Sequence, residues 1–146
     1  YDNNSDYRIC LACEDKNIYM LTKEGRTVKG WTMPQTEHPL HTPIYHFREG
    51  NKDYIVFSDQ YKMHILNRRG NPRINVKESI SKPENQSIYL DRQRSGARFI
   101  TTNEEGTIFI INLDGNVLKN KLPKFAYFAE LTNEDIVEYL NRFYRY

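Results

Sequence analysis

Hydrophobic residues along the chain fall in short runs that recur at a fixed spacing. Three of these runs, at residues 9–14, 54–59 and 99–104, align without a gap at an offset of 45 residues, and each ends in acidic residues. The runs that follow them, at 18–21, 63–66 and 108–111, keep the same offset. A period of this length is typical of repeat architectures, so the sequence predicts three copies of one β-rich unit.

Each repeat then reaches a glycine after a short polar stretch, at Gly25, Gly70 and Gly115. Glycine adopts a positive φ without steric cost, and it commonly closes a type I turn with a bulge between antiparallel strands. The sequence therefore predicts a hairpin at the same place in every repeat.

Further strand-like segments surround these hairpins. Segments at 27–31, 73–76 and 116–118 follow the glycine turns, and segments at 44–47 and 88–90 precede the second and third repeats. Four short strands in every 40–50 residues indicate a β-propeller blade, and the continuous apolar runs fit inner strands buried on both faces. We therefore predict an all-β, propeller-like segment of about three four-stranded antiparallel blades, at about 1–31, 44–76 and 88–122, within a single domain 1–146.

Residues 125–146 allow two interpretations. As a helix, they begin with a capping box at 132–135, and the apolar residues of 136–144 fall on one face. As a partial fourth blade, Tyr127–Val137 aligns without gaps on Tyr45–Ile55 at an offset of 82 residues, which we favour. Propeller rings contain about four to eight blades. The sequence therefore predicts either a fragment of a larger propeller or a unit that self-associates through open blade faces.

The repeat resembles the propeller repeats of the pyrroloquinoline-quinone-like and integrin-alpha-like (FG-GAP) groups, most clearly at 47–56 and 106–115. This resemblance implies a propeller fold, and it slightly favours an extracytoplasmic location, periplasmic or on the cell surface. The FG-GAP calcium loop is not reproduced, because Arg and Lys occupy the loops at 48–53 and 91–96, whereas Ca²⁺ requires oxygen ligands. We therefore predict no metal and no cofactor.

Net charge, the length of the apolar runs and the absence of catalytic motifs limit the functions and partners that the sequence predicts. Among 146 residues, 21 Lys and Arg face 19 Asp and Glu, so the net charge of +2 predicts no strong global attraction to nucleic acid. The longest apolar runs contain five residues, far fewer than the roughly 20 of a membrane helix, which predicts no membrane insertion. No nucleophile elbow, zinc-protease motif or phosphate loop occurs. We therefore predict a non-enzymatic binding or scaffolding module with a protein or glycan partner.

Successive hairpin loops of a blade alternate between its two ends, and this alternation sorts the charged residues. Glu14, Asp59 and Glu104 fall at one end, whereas the opposite end carries Arg48, Lys52, Arg68, Arg69, Arg92 and Arg94. The candidate binding residues are the three acidic residues together with Arg48, Arg68, Arg69 and Arg92. The alternative function is a propeller enzyme, a hydrolase or lyase, whose axial pocket is lined by the three acidic residues.

Two other groups of residues invite metal or redox chemistry. Glu37, His38, His41 and His46 lie in a proline-punctuated segment, which we interpret as an exposed connecting loop. Cys10 and Cys13 have no second cysteine pair, and the gapless alignment places Cys10 in the column of Ile55 and Ile100. We therefore predict two buried free thiols.

Overall fold

The computed structural model describes residues 6–40, 42–80, 87–103 and 105–121. Every strand in these ranges pairs antiparallel, and the ranges contain no helix, so none that could cross a membrane. The strands are β1 (Arg8–Ala12), β2 (Ile18–Thr22), β3 (Tyr45–Glu49), β4 (Lys52–Ser58), β5 (Met63–Leu66), β6 (Pro72–Ile74), β7 (Tyr89–Gln93), β8 (Gly96–Thr102), β9 (Thr107–Asn112) and β10 (Val117–Lys121). The all-β, antiparallel prediction is confirmed.

The strands form three sheets, one for each sequence repeat. The second sheet has the order β3-β4-β5-β6 and the third has the order β7-β8-β9-β10, so both are four-stranded meanders. The first sheet contains only β1 and β2 in the described residues. The strand predicted at 27–31 is wrong, because this segment joins β2 only through an isolated bridge between Leu21 and Thr27. The segment 125–146, interpreted as a partial blade or a helix, lies outside the described residues.

The glycine turns have the predicted geometry in all three repeats. Gly25, Gly70 and Gly115 have φ values of 80°, 86° and 85°. In each turn the glycine N–H donates to the carbonyl three residues earlier at 2.9–3.0 Å, and the N–H of that earlier residue donates to the carbonyl just after the glycine at 2.8–2.9 Å. These paired hydrogen bonds define a type I turn with a bulge.

The repeat is not gapless in the strand before this hairpin. Cross-strand pairing joins Cys10 with Met20, Val56 with Ile65 and Ile100 with Ile110. Val56 therefore occupies the position of Cys10 and Ile100, whereas the alignment at 45 residues assigns that position to Ile55. The physical reason is the turn between the last paired residues of the two strands. It contains four residues between Ser58 and Met63, but five between Ala12 and Ile18 and five between Thr102 and Ile108. A shift of one residue exchanges the two faces of a strand.

The three sheets stack in chain order around two hydrophobic cores. We call the face of a sheet that is turned toward the preceding repeat its leading face, and the opposite one its trailing face. Ile55 and Phe57 on the leading face of the second sheet pack with Ile18, Met20 and Trp31 of the first repeat. The trailing face of the second sheet packs on the leading face of the third, and this larger core includes Tyr54, Val56, Ile65, Phe99, Phe109 and Ile111.

A backbone hydrogen bond joins each of the first two repeats to the glycine turn of the next, with donors at equivalent positions and acceptors that differ by one position. Thr32 N–H donates to the carbonyl of Arg69 at 2.8 Å, and Lys77 N–H donates to the carbonyl of Gly115 at 3.1 Å. Thr32 and Lys77 are 45 residues apart. The glycine turn of one repeat is therefore hydrogen-bonded to the segment that follows the last strand of the previous repeat.

The leading face of the first sheet is exposed. Ile9 is 37% exposed and Leu11 is 42% exposed, whereas Ile55 and Phe57, their counterparts by strand pairing in the second sheet, are 3% and 0% exposed. The prediction that both cysteines are buried is wrong for Cys13, which is exposed, while Cys10 is half-buried. Burial raises the pKa of the Cys10 thiol to about 11.

Candidate functional site

Three hairpin turns bring a group of cations to one end of the sheets. The turns β3–β4 and β5–β6 belong to the second sheet, and the turn β7–β8 belongs to the third. Each turn joins neighbouring antiparallel strands, so the turns alternate between the two ends of a sheet. The exposed cations of these hairpins, which we call the basic end, are Arg48, Lys52, Arg68, Arg69, Arg92 and Arg94.

Arg92 fixes the second and third repeats to each other at this end. Its Nε lies 2.9 Å from a carboxylate oxygen of Glu49, and its Nη2 donates to the carbonyl of Arg48 at 2.8 Å. The guanidinium therefore holds the β3–β4 turn at two points. This contact sets the relative position of the two neighbouring basic turns.

Asp53 plays a similar role within the second sheet. Its carboxylate is buried, and its oxygens lie 2.9 Å from His46 Nε2 and 3.4 Å from Arg68 Nε. Asp53 thus ties a side chain of β3 and the β5–β6 turn to the start of β4. His46, one of the predicted loop histidines, belongs to this contact.

A buried ion pair supports the third basic turn. Arg98 Nε lies 2.7 Å from Asp91, and Gln93 donates to both oxygens of the same carboxylate at 2.8 and 2.9 Å. Sequence reasoning missed this pair. The available signal was Arg98 itself, a cation within the apolar run of an inner strand, where an unpaired charge would be costly to bury.

Two of the four candidate arginines have side chains that this network does not use. Arg48 and Arg69 form no ion pair with the described residues. The backbone of Arg69 is nevertheless fixed, because its N–H donates to Asn67 Oδ1 at 2.8 Å and its carbonyl accepts the inter-repeat hydrogen bond from Thr32. The guanidinium of Arg69 therefore projects into solvent from an ordered turn.

The acidic candidates do not form a comparable group. Asp59 is 0% exposed, and its Oδ1 accepts the N–H groups of Tyr61 and Lys62 at 2.9 and 2.8 Å, while His64 Nε2 lies 3.2 Å from its Oδ2. Burial raises the pKa of Asp59, but these three hydrogen bonds outweigh it and hold the pKa below its usual value. Asp59 is thus part of the β4–β5 turn. Glu14 is exposed, and Glu104 lies outside the described residues.

The histidine segment divides between the two ends of the second sheet. Glu37 lies 2.5 Å from Lys62 Nζ, and His38 makes an edge-to-face ring contact with Tyr61, both beside the β4–β5 turn. His46 contacts Asp53 at the basic end, and His41 lies outside the described residues. In the part of the chain that the structure describes, no three His, Cys, Asp or Glu side chains are grouped to hold a metal ion.

Comparison with known proteins gives a likeness in shape. No protein-family model matches the chain, and no curated protein matches its sequence. A crystal structure of a protein of unknown function from Bacteroides caccae superposes with a TM-score of 0.47 and 15% sequence identity. The superposition covers 80% of this chain and 42% of that protein, so the chain spans less than half of its length.

Proposed function

We propose that the chain is a non-enzymatic binding module, a propeller-like segment of stacked blades that binds an acidic protein surface or an acidic glycan through its basic end. The observation that carries this proposal is the arrangement of the hairpins β3–β4, β5–β6 and β7–β8. Their six exposed cations stand against three carboxylates, Glu49, Asp53 and Asp91, and each of these carboxylates is already paired with an arginine.

The chemistry of arginine favours an oxyanion as the ligand. The planar guanidinium presents parallel N–H donors that match the two oxygens of a carboxylate or a sulfate. Arg48 and Arg69 offer this donor set from turns that other contacts already hold in place. Little ordering of the backbone is then needed on binding, which lowers the entropic cost.

Charge balance favours a local contact over a nucleic-acid interface. The chain as a whole carries only +2, so the field of the basic end is confined to its own hairpins. Salt screens charges separated by more than about 10 Å at 0.1 M ionic strength. We therefore expect an affinity that depends on salt and on a few close arginine contacts.

The enzymatic alternative has less support. A hydrolase or lyase with an axial acidic pocket requires an accessible carboxylate, and both oxygens of Asp59 are engaged within the β4–β5 turn. Glu14 alone remains as an exposed acidic candidate in the described residues. The binding module is therefore the function that we propose.

Titration with a heparin-derived oligosaccharide and with a poly-glutamate peptide, at low and at physiological salt, tests the proposal. We expect R48Q/R69Q to weaken binding of at least one probe about tenfold or more, which corresponds to a loss of about 1.4 kcal/mol. The matched control K16Q/K62Q removes the same charge from the opposite end and should leave the affinity unchanged. Equal losses in both variants, or no binding of either probe at low salt, would contradict the proposal.

A further inference from the structure

The fourth strand of the second sheet is shorter than its counterpart in the third sheet. β6 has three residues, and its pairing with β5 ends at Ile74, opposite Ile65. β10 has five residues, and its pairing with β9 reaches Asn120, opposite Ile108, and continues beyond it. Strand pairing makes Ile108 equivalent to Met63, because β5 and β9 align at an offset of 45 residues. β6 therefore ends before it reaches the position opposite Met63.

The segment that follows β6, residues 75–79, leaves β5 and returns to it at Tyr61; we call this segment the arch. Ile80 N–H and Ser79 Oγ both donate to the carbonyl of Tyr61, at 2.9 and 2.8 Å. A cavity of about 360 Å³ lies between the arch and β5, and ligand pockets in proteins measure about 300–1,000 Å³. The contacts at Tyr61 bound the cavity at one end and β6 bounds it at the other. It therefore admits a small molecule or a chain terminus, and not a continuous strand.

The backbone of Met63 borders this cavity. The preceding residue, Lys62, directs its backbone toward the β4–β5 turn, because its carbonyl accepts the N–H of Asp59 at 3.0 Å and its own N–H donates to Asp59 Oδ1 at 2.8 Å. Backbone groups of successive strand residues point to alternate sides. The N–H and C=O of Met63 thus point to the side from which the arch has departed. They form the donor and acceptor pair with which a strand, or any secondary amide, hydrogen-bonds.

The side chains around the cavity add an apolar wall and a cation. The apolar lining residues include Ile65, Ile74 and Val76, and Lys77 lies at the same cavity. Lys77 Nζ donates to the neutral Oδ1 of Asn116 at 2.7 Å, and it forms no ion pair with a residue that the structure describes. An ammonium group whose protein partner is neutral attracts an anion.

Two other charged side chains at the cavity are already paired. Lys62 Nζ lies 2.5 Å from a carboxylate oxygen of Glu37, and Glu78 forms an ion pair with Lys119. These pairs leave Lys77 as the group best placed to receive an anionic ligand.

His64 gives the cavity a wall that is fixed before any ligand binds. Its ring stacks on Phe57 with the two ring centroids 5.0 Å apart, and its Nε2 lies 3.2 Å from Asp59 Oδ2. These two contacts set the orientation of the imidazole. A preformed wall lowers the entropic cost of binding.

We propose that this cavity binds a small carboxylate that also carries a secondary amide, the chemistry of an N-acylated amino acid or of a peptide carboxyl terminus. The amide completes the interrupted ladder at Met63, a small apolar side chain contacts Val76, and the carboxylate pairs with Lys77. The cavity shares no residue with the basic end. The inference therefore holds or fails independently of the function proposed above.

Titration of the isotope-labelled chain with N-acetylvaline, followed by amide NMR signals, tests the site directly. We expect the Met63 signal to shift with a dissociation constant of about 1 mM, as befits so small a ligand. The signal of Ile108 should stay in place, because β10 already pairs with that position. N-acetylvalinamide, which lacks the carboxylate, should bind at least about fivefold more weakly.

The variant K77Q should weaken the binding of N-acetylvaline by about fivefold or more. The matched control K29Q removes an exposed cation of the first repeat and should leave the affinity unchanged. The variant R48Q/R69Q should also leave it unchanged, which separates this site from the basic end.

An acetylated Ala-Ala-Val tripeptide with a free carboxyl group distinguishes the two sources of the ligand. Binding at least as tight as that of N-acetylvaline would support a peptide carboxyl terminus, whereas binding of N-acetylvaline alone would support a free acylated amino acid. Equal binding of the acid and its amide, equal losses in K77Q and K29Q, or no shift of the Met63 signal at ten times the expected dissociation constant would each overturn the proposal.

Discussion

The first and second sheets share one hairpin pattern but have different surroundings on their leading faces. Ile9 of β1 is exposed, whereas Ile55 at the equivalent position of β4 is buried against the first sheet. The chemical character of the two side chains is the same. The comparison shows that a neighbouring repeat, and not the pattern of the strand itself, determines whether these residues form a core.

The glycine turns show the same contrast. An added Cβ at Gly25 would meet no atom within 4 Å, whereas one at Gly70 would lie 2.7 Å from Thr32 Oγ1. At Gly115 an added Cβ would overlap the carbonyl oxygen of Asn75. The glycine turns of the second and third repeats are therefore packed closely against the preceding repeat, whereas the space beside Gly25 is open.

Truncation of a leading-face side chain should give the largest difference in stability loss between the first and second sheets. We expect Phe57→Ala to lower the free energy of unfolding by about 3–5 kcal/mol, because it leaves a cavity between two sheets. Leu11→Ala should lower it by less than about 0.5 kcal/mol, since Leu11 is exposed. Urea unfolding measures both values. Similar losses would show that the two faces are equally covered.

Alanine in the glycine turns should give a graded series of smaller effects. Gly25→Ala should lower the free energy of unfolding by about 1–2 kcal/mol, the cost of a left-handed backbone for a residue with a side chain. Gly115→Ala should lower it by about 3 kcal/mol, because the new methyl group also displaces backbone. Gly70→Ala should fall between them. Thermal unfolding of the three variants gives the order of their stability losses. Equal losses would contradict the close packing of Gly70 and Gly115 against the preceding repeat.

The turn at Asp59 should give a smaller effect, which is present at neutral pH and declines in acid. Its pKa is lowered in the folded state, so its contribution to stability is complete above its unfolded pKa of about 3.9 and is lost as the pH falls through the folded value. Asp59→Asn should therefore lower stability by about 1 kcal/mol at pH 7, and by less below pH 4. Urea unfolding at pH 7 and pH 3 measures the difference. A constant difference at both pH values would contradict a role for the charged form.

Much of the fold could be predicted from the sequence because its strongest signals are local. The glycine turns and the apolar runs of β5 and β9 follow from φ preference and burial within a few residues, and the structure has both where the sequence places them. The register of β4 could not be predicted in this way. Ile55 and Val56 are both apolar and both buried, so hydrophobicity does not show which one faces which neighbour.

For the charged residues too, the environment of some could be predicted from the sequence and that of others could not. The exposure of Arg48 and Arg69 follows from their position in polar turns, as the sequence indicates. The burial of Asp59 does not, because its carboxylate is satisfied by the backbone of its own turn and by a histidine five residues away. The absence of a strand at residues 27–31 could not be predicted from that segment alone. Strand pairing depends on the partner strand as much as on the propensity of the segment itself.

The shorter loop between β4 and β5 has a consequence for how such repeats diverge. A deletion of one residue turns every side chain of a strand over, which is disruptive where one face is polar. In β4 both faces are apolar from Tyr54 to Phe57, so the strand fills either core after the change. Inner strands of this type allow the fold to tolerate small insertions and deletions in the adjoining loops. Repeat length can therefore drift over evolutionary time while the sheets continue to stack, with the glycine hairpins as the fixed points.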